Sequence, residues 1–333
     1  MTSQTTTATT TVKKYISGFF IEEPATNILV PNSSAQNNIL NACKQLQTTD
    51  VYMYLITKDI VNNTTNLQNF IGELSSMGIN LWALNGDRSM FLDPNCDGYS
   101  ELTSEIQAIA TYNSNCAVNQ KIHGLLVDLE PHDQTYNSGS ANAMSYVGFH
   151  NGLATNQLST VTGSGIYQNT QLLDRNVLME QWVQMTAVLK TYAAKAGIKM
   201  GMCMVNWTEN YYGQSIQCYY GGMTQNIFYH FCNILDLIVI MSYKSSLSNL
   251  INSVSLQLAY ADKLTNPPLV LSCVDVCQGD GITVSLGDLP TPNNTKTYAM
   301  TYIASVVSNL SASHISYFGN VVYSVEGYMT MPS

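Results

Sequence analysis

Lys121-Ile122-His123-Gly124-Leu125-Leu126-Val127-Asp128-Leu129-Glu130-Pro131 is the stretch that decides the fold. It reads as a short apolar run ending in two carboxylates. A Leu- and Val-rich run of this length, entered through a glycine, fits a parallel strand covered on both faces. Side chains alternate along a strand, so Leu126, Asp128 and Glu130 share one face. Pro131 ends the ladder. Burying an ionised carboxylate without partners is costly. The strand tip must therefore open onto a cleft or find partners there.

Working outward, the same rhythm recurs on both sides: apolar run, polar loop, amphipathic stretch, apolar run. Strands are expected at Tyr15–Ile21, Val51–Thr57, Ile79–Leu84, Lys121–Glu130, Ile198–Val205, Leu235–Ser242, Leu269–Val276 and Ile315–Tyr323. Helices are expected between them, near Ser34–Leu46, Asn66–Met77, Tyr99–Tyr112, Asp174–Tyr192, Thr224–Asn233, Leu247–Leu264 and Tyr298–Leu310. In the Asn66–Met77 stretch Leu67, Phe70, Ile71 and Leu74 fall at helical spacing, and Gly78 follows as a C-terminal stop. Eight strands alternating with helices are the arithmetic of a single-domain α/β protein, a (β/α)8 TIM barrel, over 14–333 after a polar tail at 1–13. A doubly wound sheet is disfavoured, since no Gly-x-Gly-x-x-Gly follows the first strand. The rhythm breaks once, at 131–173, a long Gly-, Ser-, Asn- and Thr-rich loop leaving directly from the two acids. Loops of that length serve as lids or cleft walls.

Composition narrows the function classes. The chain has 333 residues, 22 acidic and 13 basic, for a net charge of −9. That balance argues against nucleic acid or an anionic membrane as partner. No stretch is long and apolar enough to span a bilayer. Charged residues are 11% of the chain, where about 25% is usual. Neutral hydrogen-bonding residues take their place, which suits carbohydrate contact or packing against further copies. The stretches Ser245–Tyr260 and Tyr298–Leu310 carry no charge at all, as the face of a homo-oligomer or ordered assembly would. The opening residues lack an apolar signal segment. On its face the chain is cytoplasmic, or extracellular if a precursor segment was removed. Of the eight cysteines, Cys203 and Cys273 fall in strands as buried thiols, while Cys96 with Cys116 and Cys218 with Cys232 are spaced so that they could pair. No CxxC pair or His cluster suggests a metal, and no organic cofactor is implied.

Chemistry in a barrel collects where strands end at the C-terminal face. The expected strand ends carry Glu22, Asn85, Asp87, Asp128, Glu130, Asn206, Trp207, Tyr243, Asp275, Tyr323 and Glu326. At this point the chain resembles glycoside hydrolase family 18, the chitinase-like barrels. His123-Gly124-Leu125-Leu126-Val127-Asp128-Leu129-Glu130 resembles that family's fourth-strand D-G-x-D-x-D-x-E. Asp236-Leu237-Ile238-Val239-Ile240-Met241-Ser242-Tyr243 resembles its sixth-strand D-x-(I/V)-x-x-M-x-Y. Gly319-Asn320-Val321-Val322-Tyr323, with Glu326, resembles its last strand, G-x-M-x-W-x-x-D. Asn85-Gly86 stands where the third strand usually ends in Gly-Gly. Val127-Asp128-Leu129-Glu130-Pro131-His132 also looks like glycosidase-like barrels whose fourth strand reads (L/V)-D-x-E-P-(H/W/Y).

The resemblance implies that Glu130 is the general acid, that Asp128 holds a substrate acetamido group, and that Tyr243 donates a hydrogen bond to it. Such enzymes use the substrate's own N-acetyl oxygen as nucleophile. Tyr323 would replace the platform Trp, with Trp207, Asn206, Glu326, Asn85 and Lys244 as further substrate contacts. Four positions depart from the family. His123 and Leu126 replace the first two acids of the fourth-strand motif, Lys244 replaces the Asp after the sixth-strand Tyr, and Tyr323 replaces Trp. Leu126 removes an inward carboxylate, and Lys244 puts a cation where an acceptor is usual. Two classes of function follow. One is hydrolysis of a β-linked glycan, including glycans with N-acetylglucosamine, with a second carboxylate available from Glu22, Asp275 or Glu326. The other is a catalytically silent barrel serving as a sugar-binding, storage or self-assembling structural protein.

Overall fold

The structure, a computed structural model, describes residues 16–86, 97–129, 172–209 and 215–333. Glu130, Asp87, Cys96, the 1–13 tail and the 131–173 loop lie outside the described residues, so the expectations placed on them stand as readings of the sequence.

The elements in chain order are β1 (Ile16–Ile21), α1 (Ala25–Ile28), α2 (Ser34–Leu46), β2 (Asp50–Tyr54), α3 (Thr57–Asn62), α4 (Thr64–Ser76), β3 (Asn80–Asn85), α5 (Asp97–Ser114), β4 (Gly124–Val127), α6 (Leu172–Lys195) and β5 (Lys199–Val205). Then follow β6 (Gln217–Tyr220), β7 (Met223–Asn226), α7 (Ile227–Cys232), β8 (Leu237–Met241), α8 (Leu247–Ala261), β9 (Leu269–Asp275), α9 (Lys296–Ser313), β10 (Tyr317–Tyr323) and α10 (Val325–Thr330). Strands β1, β2, β3, β4, β5, β8, β9 and β10 pair in parallel and close on one another through β1 and β10. This is the single-domain (β/α)8 barrel that the sequence rhythm implies. No helix among the described residues is long and apolar enough to cross a membrane.

Strand parity separates two cores. Phe20, Tyr52, Trp82, Leu126, Cys203, Val205, Leu237, Val239, Met241, Leu271, Cys273 and Val321 form one buried cluster drawn from all eight strands, which is the barrel interior. Their strand neighbours, such as Val51, Met53, Leu125, Val127, Met200, Met202 and Met204, join the helices in the outer core. Small residues make room for large ones inside the barrel. A Cβ on Gly124 would lie 2.3 Å from the Trp82 ring, and one on Gly18 would lie 2.7 Å from that of Tyr52. Interiors packed to crystal-like density leave no slack for such additions.

One expected helix is corrected. Thr224–Asn226 is not helical but the return strand of an antiparallel hairpin, β6–β7. Gly221 and Gly222, both with φ in the left-handed region at +58° and +85°, make the two-residue turn that such hairpins favour. The helix begins only at Ile227, where the Asn226 side chain accepts from the Phe228 N–H at 2.8 Å. The cysteine pairing is corrected as well: Cys218 and Cys232 are free thiols, as is Cys116, while Cys203 and Cys273 are buried in the barrel interior as expected.

Candidate active site at the barrel mouth

The interior parity of each strand, continued to its C-terminal end, brings Glu22, Asp128, Tyr243, Asp275 and Tyr323 to the mouth. Tyr323 ends β10, and its ring packs between Tyr243 (centroids 5.7 Å apart) and the edge of Phe20 (5.8 Å). Its hydroxyl donates to Glu22 Oε1 at 2.5 Å, and Ser324 Oγ donates to Glu22 Oε2 at 3.2 Å. Glu326 Oε1 accepts from the backbone N–H groups of Glu22 and Glu23 at 3.1 and 3.0 Å. Its Oε2 is buried without a hydrogen-bond partner. Glu326 thus ties α10 to the end of β1, and Glu22 anchors the Tyr323 hydroxyl. Burial first, and the Glu22 carboxylate next, push the Tyr323 hydroxyl well above the ordinary tyrosine range. It is a hydrogen-bond donor at any physiological pH.

Asp128 is half-buried, and its backbone N–H donates to the Asn85 carbonyl at 3.0 Å. Its negative charge is felt by Tyr243 and by Cys273. Both are pushed well above their ordinary values, Tyr243 by burial first and then by Cys273 and Asp128, Cys273 by burial first and then by Asp275. Tyr243 hydrogen-bonds to Cys273. A carboxylate from the fourth barrel strand and a phenol from the sixth therefore lie at the same end of the apolar interior, near enough for the charge of one to act on the other.

Asp275, at the tip of β9, is 2% exposed. Its Oδ1 accepts from the Cys277 N–H at 2.7 Å. Burial raises its carboxyl to about 7, helped by the charge of Asp280 and by a hydrogen bond between the two carboxyl groups. Such a bond needs one shared proton. Asp275, Cys277 and Asp280 bring one ligand atom each to within 4.8 Å of one another, a cluster whose donor set could hold a metal ion.

Of the other expected contacts, Asn85 turns away from the mouth. Asn85 is fully buried and faces the helices. Its Nδ2 donates to Glu105 Oε2 at 2.5 Å, and its Oδ1 accepts from the Gly86 N–H at 2.8 Å. Asn206 presents its carbonyl to Gln257 Nε2 of α8 at 2.7 Å. Lys244 is half-buried, and its carbonyl accepts from the Tyr302 hydroxyl of α9 at 2.6 Å. Trp207 is half-buried and packs against both cores. Leu126 is 0% exposed and completes the interior cluster. His123 sits at the opposite end of the barrel, its ring 5.2 Å from Trp82 and its Nε2 3.1 Å from Lys199 Nζ. Reading the sequence missed Phe20, Asp280 and Glu105. Phe20 was legible, being one alternation before Glu22, whereas Asp280 sits in a loop and Glu105 inside a helical apolar stripe.

Neither a protein-family model nor any curated protein matches the chain. Solved structures match over nearly its whole length. The glycoside hydrolase domain of PgaB from Bordetella bronchiseptica aligns over 93% of both chains with a TM-score of 0.50 at 11% identity. A GH18 chitinase from Pseudoalteromonas aurantia aligns over 92% of this chain and 93% of its own with a TM-score of 0.49 at 14% identity. A GH18 chitinase from Cycas revoluta, solved with (GlcNAc)3, aligns over 94% of this chain and 95% of its own with a TM-score of 0.47 at 12% identity. The (β/α)8 fold is thus shared with the PgaB glycoside hydrolase domain, and likeness at 11% identity speaks of the fold alone.

Proposed function

We propose that this barrel is a glycoside hydrolase acting on a β-linked glycan, including glycans that contain N-acetylglucosamine. The observation that carries the reading is the placing of Asp128 and Tyr243 at the same end of the barrel interior, with the Tyr323 ring beside Tyr243. Glu130 stands two residues beyond Asp128 in the sequence and serves as general acid. It gives its proton to the glycosidic oxygen as the bond to the anomeric carbon breaks. The acetamido oxygen of the sugar attacks that carbon, and water then opens the cyclic intermediate, returning a proton to Glu130. Asp128 orients the acetamido group and stabilises its developing positive charge. Tyr243, kept protonated by burial, donates to the acetamido oxygen. Tyr323 and Trp207 offer ring faces to the sugar, and Lys244 meets polar substituents at the rim. Where a sugar lacks the acetamido group, Asp275 is the carboxyl that can act as the second acid or base near neutral pH.

A specific observation favours a second reading. Leu126 lies wholly in the apolar core, where the resembling family places an acid next to Asp128. A barrel without that charge partner can bind glycan without turning it over. The outer helix α8 carries no charged residue and α9 only Lys296, a surface suited to self-assembly. The test is product release from a panel of chitin-type and other β-glycan oligosaccharides, wild type beside Glu130→Gln. Turnover abolished by Glu130→Gln supports the hydrolase. Binding without turnover in both proteins selects the silent barrel, and neither binding nor turnover overturns the glycan reading.

A further inference from the structure

Behind the third and fourth strands lies an acid that the site does not use. Glu105 projects from α5 into the outer core and is 0% exposed. Its Oε2 accepts from Asn85 Nδ2 at 2.5 Å, and its Oε1 is buried without a hydrogen-bond partner. Among the described residues the charged groups acting on it are both acids: Glu101, one turn earlier on α5, whose Oε1 is 3.5 Å from the same Asn85 amide, and Asp59 of α3, 6% exposed.

The other atoms of Asn85 point the opposite way. Its Oδ1 takes the Gly86 N–H at 2.8 Å, and its carbonyl takes the Asp128 N–H at 3.0 Å. Gly86 and Asp128 are pressed together so closely that a Cβ on Gly86 would lie 1.9 Å from the Asp128 carbonyl oxygen. One continuous chain of contacts therefore runs from the Glu105 carboxyl through Asn85 to the backbone that presents Asp128.

We propose that Glu105 is a positioning residue for the tip of the fourth barrel strand. By holding the Asn85 carboxamide, it sets the backbone of Gly86 and Asp128 and so the direction in which Asp128 meets a ligand. The proposal rests on Asp128 belonging to the glycan site only for its functional consequence, not for the coupling itself. Burial, with the neighbouring acids, raises the Glu105 carboxyl to about 8. That shift favours the neutral form, whose Oε2 takes the Asn85 amide. Ionised, it would be a buried charge facing two further carboxylates, with the Asn85 amide as its one donor among the described residues, a state that such a pocket does not hold without rearranging. The Asn85 amide hydrogen bond favours the ionised form, so alkaline pH should tighten Glu105 on Asn85 and shift the Asp128 backbone with it.

The experiment follows the amide resonances of Gly86 and Asp128 in protein labelled selectively with 15N-glycine and 15N-aspartate, from pH 6 to 9.5, in wild type and Glu105→Gln. A 13C-labelled Glu105 carboxyl in wild type gives the titration directly, even should the variant fail to fold. Expected is one shared midpoint near 8 for the Glu105 carboxyl and both amides, absent from the amides of Glu105→Gln. Amides that stay still while Glu105 titrates, or that titrate unchanged in Glu105→Gln, overturn the proposal. In parallel, affinity for a chito-oligosaccharide should change several-fold across the same midpoint in wild type and stay level in Glu105→Gln. Absence of glycan binding at every pH would refute the proposed function, while the amide titration would still decide the role of Glu105.

Discussion

The two ends of this barrel treat their acids in opposite ways. At the base, where strands begin, each acid is met by donors. Asp50 Oδ1 accepts from Trp82 Nε1 at 3.0 Å and Asn80 Nδ2 at 3.1 Å. Asp236 pairs with Lys190 and accepts from the Met200 N–H at 2.8 Å. Asp262 accepts from His314 Nδ1, the Ser316 N–H and Ser316 Oγ at 2.7–2.8 Å. At the mouth, acids meet hydroxyls and one another: Glu22 with Tyr323, Asp275 with Asp280, and Glu105 near Glu101 and Asp59. The consequence is a split in acidity. Burial opposes ionisation of Asp262, yet the donors from Ser316 and His314 outweigh it and hold the carboxyl below its ordinary range. Burial lifts Asp275 to about 7 and Glu105 to about 8. Donors at the base outweigh burial and fix charge, while at Asp275 and Glu105 burial with neighbouring acids outweighs the donors present and favours the protonated form.

The largest effect should come from breaking the base itself. Gly124→Ala places a methyl 2.3 Å from the Trp82 ring and 2.8 Å from the Lys199 carbonyl oxygen. Both neighbours are fixed, so about 3 kcal/mol of stability should be lost. Chemical denaturation reads this directly, and a loss below about 1 kcal/mol would mean that the interior layer can yield. Next comes Asp262→Ala, which leaves the buried Ser316 hydroxyl and amide without their acceptor. About 2 kcal/mol should be lost at pH 7. The sign with pH is definite: a carboxyl held below its ordinary range contributes stability above that range and loses it as pH falls through the folded value. The deficit of the variant should therefore shrink below about pH 4.

Asp275→Asn should give the opposite slope. A carboxyl held above its ordinary range contributes its stability in full below that range and loses it as pH rises toward 7. Wild type should thus fall in Tm relative to Asp275→Asn between about pH 4.5 and 7.5, by the equivalent of at most about 4 kcal/mol. Equal slopes for Asp262 and Asp275 variants would erase the distinction between the two ends.

Much of this was legible in the chain. Strands buried on both faces read as apolar runs, so the eight strands, their order and the barrel follow from sequence alone. Parity was legible too but unused at one place. Trp82 and Leu84 mark the inward phase of β3, so Asn85 had to face the helices, where Glu105 receives it. The Gly221-Gly222 turn was equally visible between Tyr219-Tyr220 and Met223-Thr224, and it lost to a helical reading of the residues that follow. Glu105 itself was hidden. An acid within the stripe of Leu102, Ile106 and Ile109 looks like a solvated position until the strand opposite is known to present a carboxamide. The Asp275–Asp280 contact depends on a loop fold that spacing does not encode.

The smallest effect tests whether charge pairing at the base matters by itself. Lys190 reaches Asp236 across α6 and β8, but both side chains keep contact with water, at 21% and 36% exposure. Exposed pairs gain little because solvent screens them and long side chains lose freedom. Asp236 also keeps the Met200 N–H, a donor that removing the lysine does not disturb. Lys190→Met should therefore cost about 0.5 kcal/mol, and the difference should fade in high salt. A loss above about 2 kcal/mol, insensitive to salt, would show that the base depends on its cations rather than on backbone and indole donors. The contrast between the two ends would then be one of charge balance instead of hydrogen-bond supply.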